Sequence, residues 1–275
     1  MDVIVRPGLS LPRLGLGTWP MAGPACQAAV ESALALGYRH IDTAEMYANE
    51  AEVGAGIAAS AVPRSALHIT TKVWWQNLTP ARMRAALDDS LRRLGTDYVD
   101  LSLIHWPAPQ MDLAAALATL TALREAGRAR AIGLANVPTA LLRRAVEELH
   151  APIAACQFEY HVLLRQPALL AFLRRHDVPI IAYSPLGIGA LAVHPVLREI
   201  GRKHGVSAAQ VGLAWLLDQP DVAAIPKSAS PQRQRENLDA AAVRLDAEDR
   251  ARLEALPKDR RMVNPGFHPA WDPAG

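Results

Sequence analysis

The chain has little sulfur: its only cysteines are Cys26 and Cys156, in segments read as a helix and a strand. Two thiols so placed are expected to be packing residues in a reducing compartment, rather than a disulfide frame or a metal site. A cytoplasmic location is the corresponding expectation. No apolar run approaches the roughly 18 residues needed to cross a membrane. The opening stretch MDVIVRPGLSLPRLG also lacks the charged start and long apolar centre of a signal peptide. Charge of one sign is scarce, since 29 basic and 27 acidic side chains leave a net +2. That excess is too small to argue for nucleic acid, and the basic residues are spread over helix surfaces rather than gathered with aromatics. The nine histidines show no paired ligand spacing and no accompanying carboxylate cluster, so no metal site is expected. With no Gly/Ser-rich linker or low-complexity stretch to divide it, the chain reads as one domain over 1–275, and a monomer is expected.

What the chain does have is a repeated pattern. Continuously apolar runs such as LSLIH, AIGLAN and IAYS suit parallel strands covered on both faces. Early runs end near residues 42, 72, 105 and 136, a strand and a helix apart each time, and later ones near 157, 183 and 226. Helical periodicity fills the intervals at 25–36, 50–60, 79–94, 112–126, 138–149, 165–176, 194–204 and 207–218. In 79–94, Met83, Leu87, Leu91 and Leu94 form one apolar face, with Thr79-Pro80 as the start signal and Gly95 as the stop. Counting LGLG as a first strand, eight strand-helix units predict a closed (β/α)₈ TIM barrel with its site at the C-terminal strand ends. A short hairpin around Pro7-Gly8 is expected to plug the lower end, and the C-terminal tail is short. A doubly wound sheet is the competing architecture. Against it, LGLGTW places Thr18 and Trp19 where a dinucleotide fingerprint needs a third glycine.

Three of these segments carry, at or just past their ends, the four polar residues of a set that makes chemical sense. Asp42 ends GYRHID, Tyr47 follows five residues on, Lys72 ends LHITTK and His105 ends LSLIH. Each has an ordinary explanation alone: a turn residue, a packing phenol, a snorkelling amine, a structural imidazole. Together, at the ends of successive barrel strands, they converge on one pocket able to protonate a carbonyl oxygen. A free tyrosine titrates near 10, and an ammonium roughly 4 Å away favours its anion by about 4 kcal/mol at an effective dielectric of 20. Lys72 is therefore expected to lower the pKa of Tyr47, Asp42 to keep Lys72 charged, and His105 to hold the carbonyl oxygen. Two other functions compete: a barrel lyase with a Schiff base on Lys72, and a cofactor-binding subunit without turnover.

The ordered set LGLGTW, GYRHIDTAEMYANEAEVG, ITTKVW, LIHWP, GLAN, QFEYH, YSPLG and IPKSASPQRQREN resembles the aldo-keto reductases from Leu14 to Asn237. The ending DRRMVNPGFHPAWD resembles a bacterial branch that reduces 2,5-diketo-D-gluconate and methylglyoxal. The resemblance implies a barrel that binds NADPH without a Rossmann domain and reduces a small carbonyl substrate, with Asp42, Tyr47, Lys72 and His105 as the catalytic tetrad. It also implies that Asn136 and Gln157 hold the nicotinamide carboxamide, that Tyr183 stacks on the ring, and that Ser184 and Leu186 wrap the pyrophosphate. Thr18 and Trp19 would border the cofactor. Lys227, Ser228 and Arg233 would take the 2′-phosphate, with Glu236 and Asn237 beside the adenine. Trp19, Trp74 and Trp106 would line the substrate pocket. One departure is visible: the family's usual serine before Asn136 is Ala135, which removes one hydrogen bond, worth on the order of 1 kcal/mol. Glu159, two residues from Gln157, is read as a supporting residue rather than a reactant.

Overall fold

A computed structural model describes residues 2–273, so residues 1, 274 and 275 of the expected domain lie outside the described residues. The chain opens with an antiparallel hairpin, β1 (Val3–Arg6) and β2 (Leu9–Pro12), turning at Pro7-Gly8 as the sequence suggested. Eight parallel strands follow: β3 (Leu16–Gly17), β4 (His40–Asp42), β5 (His68–Val73), β6 (Val99–Ile104), β7 (Ala129–Ala135), β8 (Ile153–Glu159), β9 (Ile180–Tyr183) and β10 (Val222–Ala224). They pair in sequence order. The ring closes where the Gly15 N–H meets the Ala224 carbonyl at 2.9 Å and the Ala224 N–H meets the Arg13 carbonyl at 2.8 Å. That closure needs glycine, because a Cβ on Gly17 would sit 2.6 Å from the Ile225 carbonyl oxygen.

The helices are α1 (Gly23–Leu36), α2 (Glu50–Ala59), α3 (Pro80–Leu94), α4 (Leu113–Glu125), α5 (Thr139–Arg143), α6 (Pro167–Arg175), α7 (Pro195–His204), α8 (Ala208–Leu217), α9 (Pro231–Asp239) and α10 (Ala247–Glu254). Helix α3 shows why such a segment folds where it does. Met83, Leu87, Leu91 and Leu94 are buried, and Gly95 ends the helix in the left-handed region at φ 66°. The start differs from expectation: the Thr79 side chain makes no capping bond. Pro80 instead removes one of the unpaired donors that a cap would satisfy. The helix expected over 138–149 is interrupted, with α5 giving way to a wider π turn at Arg144–Glu148. Helix α10 was not anticipated, because its mostly charged and small residues carry a weak apolar stripe. Both cysteines are free and buried, and burial pushes Cys26 to about 11 and Cys156 to about 12.

Two layers of core result. Outward strand residues pack against the helices, whereas Leu101, Leu103, Ala131, Ala155, Ile181 and Ala223 fill the barrel interior. Ile4, Leu9 and Leu11 of the hairpin join that interior cluster from below, so the hairpin is the floor of the barrel. The period-2 alternation leaves Asp42, Lys72, Gln157 and Glu159 buried near the upper ends of their strands.

Candidate active site

Asp42 ends β4 and Lys72 lies one residue from the end of β5, and the Lys72 ammonium, 1% exposed, donates to an Asp42 oxygen and to the Thr43 carbonyl at 2.7 Å. Gln157 Nε2 donates to the other Asp42 oxygen at 2.7 Å. Behind them Glu50, buried at the start of α2, accepts from Thr71 Oγ1 at 2.5 Å and from both Arg93 donors at 2.6 and 2.9 Å. Tyr47 stands on a single 3₁₀ turn, Glu45–Tyr47, just past β4. Its ring centroid lies 5.0 Å from Lys72 Nζ, 5.5 Å from the His105 ring and 5.1 Å from the Trp19 ring. Thus the four expected residues do converge on one end of the barrel.

The turn that carries Tyr47 is pinned by a residue to which the sequence assigned no role. Asn49 is fully buried and bonds to the Thr43 hydroxyl at 2.8 Å and to the Thr18 and Met21 carbonyls at 3.2 and 2.9 Å. The Asn77 amide meets Glu45 at 2.6 Å and ties the same turn to the loop after β5. An Asn-Glu pair between Tyr47 and an apolar helix was the available signal.

Burial drives Asp42 up and Lys72 down, and their mutual contact opposes both. With Gln157 and Thr43 completing the polar shell, the pair is held as an ion pair. His105 falls well below its usual range through burial and the Lys72 charge, so its imidazole is neutral. Its Nδ1 is buried without a partner, and Nε2 is the ring nitrogen left to face the pocket. Tyr47 corrects an expectation. Burial and the nearby Asp42 carboxylate push its pKa well above 10 rather than below it. Burial is the larger cause, and the two Lys72 hydrogen bonds go to Asp42 and Thr43 rather than to the phenol oxygen.

The residues expected around a cofactor fall in two groups. In the first, Asn136 is buried at φ 59°, donates to the His105 carbonyl at 2.9 Å and accepts from the Tyr183 hydroxyl at 2.6 Å. Thr18 is buried with its hydroxyl on the Asp42 carbonyl at 3.0 Å. Ala135 is fully buried, and Ser184 at φ 45° and Leu186 begin the loop after β9. The second group lies beyond β10. Lys227 and Arg233 are exposed, Glu236 is half-buried, and Ser228 and Asn237 are buried. Ser230 caps α9 by accepting from the Arg233 N–H, and the Ser230 N–H bonds to the Ser228 hydroxyl at 3.1 Å.

Aromatic rings wall the mouth. Trp74 lies 5.2 Å from His105, and Trp74, Trp75 and Trp106 all surround Phe267 at 5.3 to 5.6 Å between centroids. Trp19 is 52% exposed at the rim. Phe267 was not anticipated, and it arrives on a tail that carboxylates hold at two points. Glu159 accepts from the Met262 and Val263 N–H groups at 2.7 and 2.9 Å. Asp272 accepts from the Thr139 N–H and hydroxyl at 2.8 and 2.6 Å. Glu159 therefore anchors the tail. A separate grouping on the outer surface also went unforeseen: His204 and Lys203 meet Asp249 at 2.6 and 2.9 Å, with Asp246 beside them. There the Lys203 ammonium already supplies the positive charge.

The profile of the aldo/keto reductase family matches residues 13–258. The chain belongs to this family. It is 38% identical over 268 residues to methylglyoxal reductase DkgB of Escherichia coli O157:H7, covering 96% of this chain and all of that protein. It is 39% identical over 269 residues to the DkgB protein of Salmonella typhimurium, with 96% and 100% covered. Among solved structures, one described as a 2,5-diketo-D-gluconic acid reductase B superposes with a TM-score of 0.91 at 40% identity, covering 95% of this chain and 94% of that one. Aldose reductase from Schistosoma japonicum superposes at 0.88 and 29% identity, with 95% of each chain covered. This aldo/keto reductase has the (β/α)₈ barrel of those neighbours, and among its described residues no helix is long and apolar enough to cross a membrane.

Proposed function

We propose that this aldo/keto reductase uses NADPH to reduce small aldehydes and ketones, 2-oxoaldehydes and diketo-sugar acids among them. The observation that carries the reading is the buried Asp42–Lys72 pair beside Tyr47 and His105, with Trp74 packed on His105. The names of the DkgB relatives and of the diketo-gluconic acid reductase support the substrate class. In this reading neutral His105 offers its Nε2 proton to the carbonyl oxygen and fixes its position. Tyr47, kept protonated by its raised pKa, then delivers a proton as the oxygen becomes basic. A strongly raised phenol remains an adequate donor, because an alkoxide is the conjugate base of an acid about as weak as water, with a pKa of ~16. Lys72 and Asp42 hold the field around that oxygen fixed.

The donor set fits a phosphorylated nicotinamide cofactor. Lys227 and Arg233 are exposed cations at the capped start of α9, suited to a 2′-phosphate. Asn136 and Gln157 present amides for the carboxamide, with the Tyr183 ring beside Asn136. Bound there, the reduced nicotinamide supplies hydride to the carbonyl carbon. The Asn136 side chain must exchange its Tyr183 bond to take the carboxamide. A Schiff base on Lys72 has no comparable support, since that amine is 1% exposed and committed to Asp42 and Thr43. The whole chain is taken as one catalytic domain, acting as a cytoplasmic monomer.

The test is NADPH oxidation with methylglyoxal, diketo-sugar acids and aromatic aldehydes. Turnover that Tyr47→Phe lowers by about 10²-fold or more supports the reading. No oxidation across the panel would leave a binding subunit, and a borohydride-trapped adduct on Lys72 would favour the lyase.

A further inference from the structure

Lys72 is gripped from both faces of β5. On the inner face its ammonium meets Asp42 and the Thr43 carbonyl. On the outer face the preceding residue, Thr71, donates its hydroxyl to Glu50 at 2.5 Å. Asn49 and Glu50 are consecutive, and Asn49 accepts the Thr43 hydroxyl at 2.8 Å. Covalent links and hydrogen bonds thus close a loop through Asn49, Thr43, Lys72, Thr71 and Glu50, and Tyr47 stands two residues before Asn49. Arg93 braces the loop from α3, with Nε and Nη2 on one Glu50 oxygen at 2.9 and 2.6 Å. Helix α3 comes this close because Gly54, one turn after Glu50, has no side chain: a Cβ there would lie 2.8 Å from the Arg93 carbonyl oxygen. The Glu50 side chain is fully enclosed, whereas that of Arg93 is 36% exposed. As a cross-link between helices such a pair is a poor one, because burying charge costs about what the contact returns. Its charge does reach the site. Burial lowers the pKa of Lys72, Asp42 opposes that most, and Glu50 opposes it further. Glu45, on the Tyr47 turn, is also near enough to feel both Glu50 and Arg93.

We infer that Glu50 is a positioning residue for Lys72: it fixes the strand that carries the ammonium and sets a second negative charge behind it. The inference rests on the reductase reading, in which Lys72 holds the field around the carbonyl oxygen. Glu50 lies behind β5 rather than in the pocket, so it acts through Lys72. Its two contributions separate by substitution. Glu50→Gln keeps an oxygen for the Thr71 hydroxyl and removes the charge, whereas Glu50→Asp keeps the charge and shortens the reach.

Steady-state kinetics with NADPH and methylglyoxal, taken across pH, test it in wild type, Glu50→Gln and Glu50→Asp. In Glu50→Gln kcat falls about tenfold while KM stays within about twofold, since Lys72 acts on the oxygen only as it becomes charged. The alkaline limb of its kcat/KM profile also moves to lower pH by at least about half a pH unit, because the ammonium loses a charge that holds its proton. Glu50→Asp leaves the limb in place and lowers kcat less. A smaller movement in Glu50→Gln, or an equal one in Glu50→Asp, overturns the inference, because packing alone would not follow the charge. Unfolding in urea needs no turnover. In a Lys72→Met background Glu50→Gln should shift the midpoint less than about half as far as in wild type, and anything larger overturns the inference. If Lys72→Met does not fold, the paired Asp42→Leu and Lys72→Met background replaces it. If wild type oxidises no NADPH while that non-additivity persists, the reductase reading fails and the hold of Glu50 on Lys72 stands. Thermal unfolding of each variant at the assay pH establishes that it is folded.

Discussion

Strands β4 and β5 each carry polar residues into the barrel at two heights, and the two heights handle burial in opposite ways. At the mouth, Asp42 and Lys72 keep their charges in contact, Gln157 donates to the other Asp42 oxygen, and the Thr43 carbonyl accepts a second Lys72 N–H. At the floor, His40 and His68 stand edge to face at 4.7 Å, both fully enclosed. His40 meets the Pro12 carbonyl and the Thr70 hydroxyl at 3.3 Å each, and His68 meets the Ser10 carbonyl at 2.9 Å. Among the described residues no carboxylate bonds to either imidazole, and burial outweighs the nearby Asp100 at His68, so both are pushed down to about 3 and stay neutral. The comparison teaches that burial alone does not decide charge here. An opposite partner in contact does, and charge is kept at the end of the barrel where chemistry is proposed.

The largest effect expected from breaking this contrast is at the mouth. Lys72→Met leaves Asp42 buried without a counter-ion, which should cost about 3–5 kcal/mol in urea unfolding. Replacing both partners, as Asp42→Leu with Lys72→Met, should recover most of that loss, because an apolar pair avoids desolvating charge. A single-variant loss below about 1 kcal/mol would mean that the pair is not ionised. The floor predicts a pH effect instead. The unfolded histidines take protons below about 6.5, whereas the folded ones resist until about 3. Stability is therefore complete above 6.5 and falls as pH drops through that window, by about 2 kcal/mol per histidine at pH 5. His68→Met should roughly halve the slope between pH 6 and 4. An unchanged slope would locate the acid sensitivity elsewhere.

Much of the fold was legible in the sequence, although the histidine pair at the floor was not. The apolar runs, the hairpin at Pro7-Gly8 and the polar residue at each strand end followed from period and spacing, because strands and helices write their contacts locally. The tail did not. Phe267 and Asp272 meet Trp74, Trp106 and Thr139 across more than a hundred residues of chain, and the irregular segment that brings them there has no period to read. The state of Tyr47 was equally hidden. Composition supplies an ammonium and a phenol, whereas the burial of the phenol and the carboxylate of Asp42 nearby decide its pKa.

A smaller effect is expected at the exposed end of the proposed cofactor site. Arg233 is solvated and so contributes less than a buried ion would. Arg233→Ala should raise the KM for NADPH about tenfold and that for NADH less than about twofold, in steady-state kinetics with either cofactor. Equal changes would remove the 2′-phosphate assignment.

The smallest effect tests whether polar groups at the mouth await a ligand. Ala135 is fully buried, beside Asn136, whose amide is engaged by Tyr183 and the His105 carbonyl. In Ala135→Ser a hydroxyl is buried within the interior apolar cluster, so the unliganded protein should lose about 1 kcal/mol of stability. With cofactor bound, the same hydroxyl can accept or donate to the carboxamide, and NADPH should bind about fivefold more tightly by fluorescence titration. The two signs together are the signature of a group completed by its ligand. Lower stability without tighter binding would show that the carboxamide does not reach Ala135, and that this part of the mouth is packed for the protein's own sake, as the floor is.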